Sequence, residues 1–448
     1  MTEPLKTDER AMLTGSLKCA VAFWAVFPTY GNGRDESSIE LARVREYFAE
    51  ARALADQDGG RLWGVSLAGP LVFVEPKTRQ LVADRADAEG RLKPQDGVFV
   101  GTLPADETYA ATAKKWAGVE WAMFLWPLPE DVRERRRLLA HESWHRVQEQ
   151  IGLPGAMSPN VHLDTADCRV WLQLEWRALA TALQRSGEER RQAIADALTF
   201  RAYRRALFPS AAGEERTMEM HEGLAEYTGV RLSSESAAEQ RELALKNHSM
   251  AKDWPTFVFS FAYVSGPSYG LLLDELKPDW RKGLTPRHDL GDLLSEALVL
   301  GLPADVKAAA LVRAAAYEGA QLVAAEADRD REVRGRISRE RRRLVEGPVL
   351  RVPIQAMQFQ FDPCDVHPLD DLGKVYPKMR MTDAWGVLEV TGGALIASDW
   401  AYVTVPAPAE PNARPLKGDG WALDLKERWK VAPGTRAGDY TLRRTEPD

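Results

Sequence analysis

Residues 141–145 read His-Glu-Ser-Trp-His. On a helix, histidines four positions apart project from one face, near enough for both imidazoles to bind a single zinc ion. Glu142, beside the first of them, can reach a water on that metal and take its proton, so the five residues combine a Lewis acid with a general base. The chemistry needs a helix. Residues 135–150 supply one on propensity, with Leu138, Leu139, Val147 and Ile151 as an apolar face to bury. The bland alternative is an exposed helix with incidental His and Glu, but with only seven histidines in the chain this spacing rarely arises by chance. A catalytic zinc takes three protein ligands and keeps one position for water, so another donor is required downstream.

The leading source is His221-Glu222-Gly223-Leu224-Ala225-Glu226-Tyr227. HExxH followed by EGLAEY resembles the gluzincin metallopeptidases, particularly the bacterial peptidase-MA-like group. The resemblance implies a zincin-like catalytic domain, a peptide or protein substrate, and Glu222 as the third zinc ligand. It also implies that Glu226, four residues on, accepts a hydrogen bond from a ligand histidine and so orients the ring. The stretch from Tyr263 to Gly266, leading into a helix, is similar to the Tyr-x-x-Gly entry of aminopeptidase-type gluzincins, which implies that Tyr263 donates to the developing oxyanion. Tyr269 or His248 could take that role, and a buried tyrosine with a satisfied hydroxyl is the plain reading. The strand at 121–126 resembles in position the edge strand along which gluzincins bind extended substrate. The glycine-methionine-glutamate signature for a free substrate N-terminus is not present: residues 118–123 read Gly-Val-Glu-Trp-Ala-Met, so endo- and exopeptidase action both stay open.

Other residues compete for the metal. Glu175 could approach from a helix, although a surface or ion-paired glutamate is the commoner state. His221 is adjacent to Glu222 but one helical step round, which makes it a neighbour rather than a ligand. His162, Asp164 and Asp167 have suitable atoms, yet loop capping accounts for them. No phosphate-binding glycine loop and no GxSxG elbow is visible, and the 14 tryptophans are scattered as core and pocket lining would be.

The elements that must position these residues follow from pattern. Residues 39–54 have helical spacing, and short apolar runs at 71–74, 80–83, 98–100 and 121–126 predict strands of one sheet. Helices are predicted within 167–207, 214–230, 267–277, 289–300 and 303–345; the long interval between His145 and Glu222 implies an inserted helical segment at about 165–207. The mixed charges of 326–343 read as a solvated helix face. Beyond Gly347-Pro348 strands are predicted at 349–361, 385–390, 394–397 and 401–405, with a proline-rich surface loop at 406–420. The expected fold is α+β: an N-terminal sheet lobe (36–155) ending in the HExxH helix, a mainly helical lobe (156–346) and a β-rich module (347–448).

Composition narrows the functions. The chain has 448 residues, 45% apolar and 28% charged, which suits globular domains. A formal charge of -7 offers no general attraction to nucleic acid or anionic lipid, so no nucleic-acid partner is expected. Cys19, Cys168 and Cys364 form no CxxC pair. The apolar run at 19–27 is shorter than the roughly 20 residues a membrane-spanning helix needs, so no transmembrane segment is expected. Residues 12–30 fit an export signal or a buried segment equally, leaving a periplasmic or secreted and a cytoplasmic location both open. The oligomeric state is likewise open. The reading is a zinc metallopeptidase with His141, His145 and Glu222 on the metal, Glu142 as base and Tyr263 at the oxyanion. The alternative is a non-catalytic binding protein of zincin fold with a structural or vestigial metal.

Overall fold

The computed structural model describes the backbone of residues 20–23, and residues 39–363 and 365–445 in full. Strand β1 (Ala20–Phe23) pairs in parallel with Gln358–Phe361; the rest of the proposed export signal, together with Cys19 and Cys364, lies outside the described residues. After it come α1 (Leu41–Asp58), β2 (Leu71–Val74), β3 (Gln80–Ala83), β4 (Lys93–Gln95), β5 (Val98–Thr102), β6 (Thr112–Trp116) and β7 (Val119–Leu125). Among the described residues the sheet order is β4-β5-β3-β2-β7-β6, with β2 and β7 parallel and the other neighbours antiparallel. Strand alternation sends Leu71 and Phe73 to the face covered by α1 and by Leu138 and Leu139 of the next helix, and Val72 and Val74 to the other face.

The four strands predicted from apolar runs are present, and two more border them. Lys93–Gln95 and Thr112–Trp116 are polar edge strands, whose lysines and proline suit an edge but erase the apolar signal. One expectation is thereby corrected. β7, the strand at 121–126, is not the edge: Ala117 and Gly118, both with positive φ (48° and 75°), make a two-residue turn that folds β6 back against it. β6 is the edge strand beside the HExxH helix.

Ten helices follow among the described residues: α2 (Val132–Val147), α3 (Ala166–Gln184), α4 (Gly187–Ala206), α5 (Ala211–Met218), α6 (Leu224–Leu232), α7 (Ala237–Met250), α8 (Ala262–Leu276), α9 (Leu290–Leu298), α10 (Val306–Arg313) and α11 (Gly319–Arg341). The long stretch predicted at 167–207 is a helical pair, broken before Gly187 (φ 58°), and that at 303–345 is broken where Glu318 turns left-handed (φ 55°). α7 is not foreseen by pattern, because half of its buried positions, Gln240 and Asn247, are polar. The charged face of α11 is only partly solvated: Glu326 is buried and receives the Arg169 guanidinium.

Residues beyond 347 form two stacked sheets. Gln358–Phe361, Met379–Asp383, Gly386–Val390 and Trp421–Leu425 belong to one, and Gly373–Tyr376, Ala394–Ala397, Tyr402–Pro406 and Val349–Pro353 to the other. Phe359 and Phe361 of the first pack on Tyr376 of the second at 4.8 and 5.0 Å between ring centres. The architecture is α+β. Phe361 also meets Phe259 of the helical lobe at 5.8 Å, and Gln358 accepts hydrogen bonds from Thr108 and from Lys114 of β6, so the β module touches both other regions. Among the described residues no helix is long and apolar enough to cross a membrane.

Candidate metal centre

Local sequence sets α2 in place. Asp131 caps it, its carboxylate accepting from the Glu134 amide at 2.9 Å, and the negative charge favours the helix N-terminus. Leu138 and Leu139 bury against the sheet while Trp144 and Val147 bury in the helical lobe, which leaves His141 and His145 pointing along the seam between the two. α6 crosses α2 closely at Gly229, where a Cβ would stand 2.7 Å from the Arg137 carbonyl oxygen.

Glu222 reaches the seam from an unusual turn. Between α5 and α6, Glu219–Gly223 forms one π-helical turn in which the Leu224 amide donates to the Glu219 carbonyl, five residues back. Two glycines allow this turn to lie on α8: a Cβ on Gly266 would stand 2.3 Å from the Gly223 Cα. Sequence reasoning treats the EGLAEY segment as regular helix and misses the wider turn.

The candidate ligands converge. His141 Nε2 and His145 Nε2 are 3.2 Å apart, and Glu222 Oε2 lies 3.5 Å from the first and 3.7 Å from the second. A tetrahedral zinc with bonds near 2.0–2.1 Å requires ligand atoms about 3.4 Å apart, so one ion fits all three. Among the described residues these three are the sole group of His, Cys, Asp and Glu with metal-binding proximity. Three buried carboxylates, Glu142, Glu222 and Glu226, face one buried guanidinium, Arg137. With neutral imidazoles the centre therefore has surplus negative charge, which suits a divalent cation.

Each neighbour has a definable effect. Glu226 Oε2 accepts from His141 Nδ1 at 3.0 Å, which leaves Nε2 toward the centre; Glu226 Oε1 accepts from Arg137 and, at 2.8 Å, from Asn247. Burial opposes ionisation of Glu226, but Arg137 and the bond from His141 outweigh it and hold the carboxyl down to about 2. Burial likewise opposes charge on His141, yet Glu222 and Glu226 lift it to about 10 in the metal-free chain. Glu142 is pushed up to about 7, first by burial, and its Oε2 has no hydrogen-bond partner. Tyr263 donates its hydroxyl to Glu222 Oε2 at 3.1 Å.

The rival residues lie elsewhere. Glu175 is fully buried and binds Arg201, Arg204 and the Tyr269 hydroxyl, which removes both it and Tyr269 from the centre. His248 pairs with Ser268 at 2.8 Å, and His162 pairs with Glu215 at 3.1 Å in a buried ionic cluster rather than in a loop cap. His221 does reach the centre, because the π turn rotates it inward: its ring lies 4.9 Å from that of His145. Arg137 and Asn247 escape sequence reasoning. Arg137 is four residues before His141 on the same helix face, a legible spacing; Asn247, on α7, carries no signal.

Comparison of the chain with protein-family models, curated proteins and solved structures gives no significant match.

Proposed function

We propose that the chain is a zinc-dependent metallopeptidase of gluzincin type, with a zincin-like catalytic domain built from the N-terminal sheet, α2 and the helical lobe. The observation that carries this reading is the triangle of His141, His145 and Glu222 atoms with 3.2–3.7 Å edges, beside the Glu142 carboxylate, whose Oε2 has no hydrogen-bond partner. Bound there, zinc would polarise a carbonyl and acidify water. Glu142 takes the proton of the attacking water and returns it to the amine as the C–N bond breaks. Glu226 fixes the tautomer of His141. The Tyr263 hydroxyl exchanges Glu222 for the oxyanion of the tetrahedral intermediate.

The test is zinc analysis together with hydrolysis of a broad peptide library. We expect one zinc per chain and turnover in the wild type, and retained zinc without turnover in Glu142→Gln; full activity in that variant would remove Glu142 as base. One observation favours a second reading, a binding protein with a structural metal: His141, Glu142 and Glu222 are at most 6% exposed. Stoichiometric zinc with no cleavage of the library by the wild type would select it.

A further inference from the structure

One side-chain amide joins two sides of the centre. Asn247, buried on α7, reaches Glu226 Oε1 at 2.8 Å and the main-chain carbonyl oxygen of Tyr263 at 2.9 Å, both through Nδ2. A carboxylate and a carbonyl only accept, so the group between them is the NH2, with one N–H for each. Turned over, the amide would set its oxygen against both acceptors, which fixes its orientation on chemical grounds.

The Tyr263 carbonyl is open to such a donor for a reason written in the sequence. In the first turn of α8 it would accept from the amide four residues on, but that residue is Pro267, which has no N–H. A buried carbonyl deprived of its helical donor is costly unless another group replaces it. Asn247 supplies that group from the neighbouring helix, which accounts for a polar residue at a buried position of α7.

The contacts close into a ring about the candidate ligands. Glu226 Oε2 takes the hydrogen of His141 Nδ1 at 3.0 Å, Asn247 ties Glu226 to the Tyr263 main chain, and the Tyr263 hydroxyl returns to Glu222 Oε2 at 3.1 Å. We propose that Asn247 is a positioning residue for Tyr263: by holding its main chain against Glu226, it sets the tyrosine hydroxyl at a fixed place relative to the His141 ring. The inference rests on the metallopeptidase reading above and adds to it the device that aims the oxyanion donor. Without the amide, the first turn of α8 is free to move at its proline, while Arg137 still holds Glu226 and the metal ligands keep their places.

The experiment uses the full chain as wild type, Asn247→Leu, Tyr263→Phe and the double variant, all at saturating zinc. It reads kcat and KM on a peptide that the wild type cleaves, with long incubations for the slow variants, zinc affinity by competition with a coloured chelator, and folding by thermal melting. We expect Asn247→Leu to lower kcat by about 10–100-fold with KM and zinc affinity near wild type. In the Tyr263→Phe background the same replacement should cost no further kcat, because the group it aims is already gone. Losses that multiply in the double variant overturn the proposal, since Asn247 then acts on the fold and not through the tyrosine. Wild-type kcat in Asn247→Leu or in Tyr263→Phe also overturns it. If Asn247→Leu does not fold, Asn247→Ser takes its place in the same cycle, its hydroxyl being too short to reach both acceptors. A wild-type chain that cleaves no peptide defeats the proposed function and this inference with it, whereas turnover in the wild type and an unimpaired Asn247→Leu defeat the inference alone.

Discussion

Nδ1 of His141 and Oε2 of Glu226 are 3.0 Å apart, and the same carboxylate binds the Arg137 guanidinium through its other oxygen. One buried side chain on α6 thus sets the tautomer of a candidate ligand and neutralises a cation on α2. The arrangement ties the orientation of the His141 ring to the packing of the two helices.

Glu226→Gln keeps an acceptor but removes the charge. Zinc binding, measured by chelator competition, should weaken by about 10–100-fold, as for other partners of metal-bound histidines. Unchanged affinity would separate Glu226 from the metal.

Arg201 has a structural counterpart of this role. It is held by Glu175, Glu219 and Asp289, all buried, and Glu219 opens the π turn that carries Glu222. Arg201→Met leaves these acids short of a partner, and the expected loss is about 3–5 kcal/mol in urea unfolding. A loss below about 1 kcal/mol would mean that the remaining arginines, Arg204 and Arg205, are sufficient.

Gly266 lies where α8 meets the π turn. A Cβ there runs into the Gly223 backbone at 2.2–2.4 Å, so Gly266→Ala must push the two apart. Overpacking of this kind costs about 1–3 kcal/mol, and the displaced turn should also lower zinc occupancy. Thermal melting and metal content of the same sample check both.

Lys374 supplies a pH dependence away from the centre. Burial pushes its ammonium down to about 8 from 10.5, with Glu214 opposing, and its Nζ sits 4.4 Å from the Phe259 ring centre. Between about pH 8 and 10.5 the unfolded chain holds a proton there that the folded chain lacks, so this residue's contribution to stability rises with pH across that window. Below pH 8 its cost is fully present. Lys374→Met should therefore raise the melting temperature at pH 7, and the difference from wild type should shrink by pH 10. A difference that stays constant with pH would show that Lys374 titrates normally.

Much of the candidate centre was legible because its signals are local. The two histidines four apart act within one helix, and the structure brings both rings to one place; Leu138, Leu139 and Val147, expected on one apolar face, are buried in two clusters, the first two against the sheet and the third in the helical lobe. Glu222 and Tyr263 were reached through a resemblance, and both come to the seam. What escaped depends on contacts distant in sequence. Asn247 bonds Glu226 and the Tyr263 carbonyl from a helix with a half-polar face, and Glu175 is claimed by arginines on α4. The β6 edge is hidden for a different reason: Thr-Ala-Lys-Lys-Trp is too polar to announce a strand, and only its hairpin with β7 makes it one.

The widened coil at Glu219–Gly223 holds one residue more than an ordinary helix would fit into the same span. Shortening the chain by Met220 would let the segment relax into regular winding and swing the following carboxylate by about 100° around the axis. Under the proposed function, such a deletion variant should fold with its core intact yet come off a nickel- or zinc-loading assay empty, so that one extra backbone residue is what brings the Glu222 carboxylate to the two imidazoles.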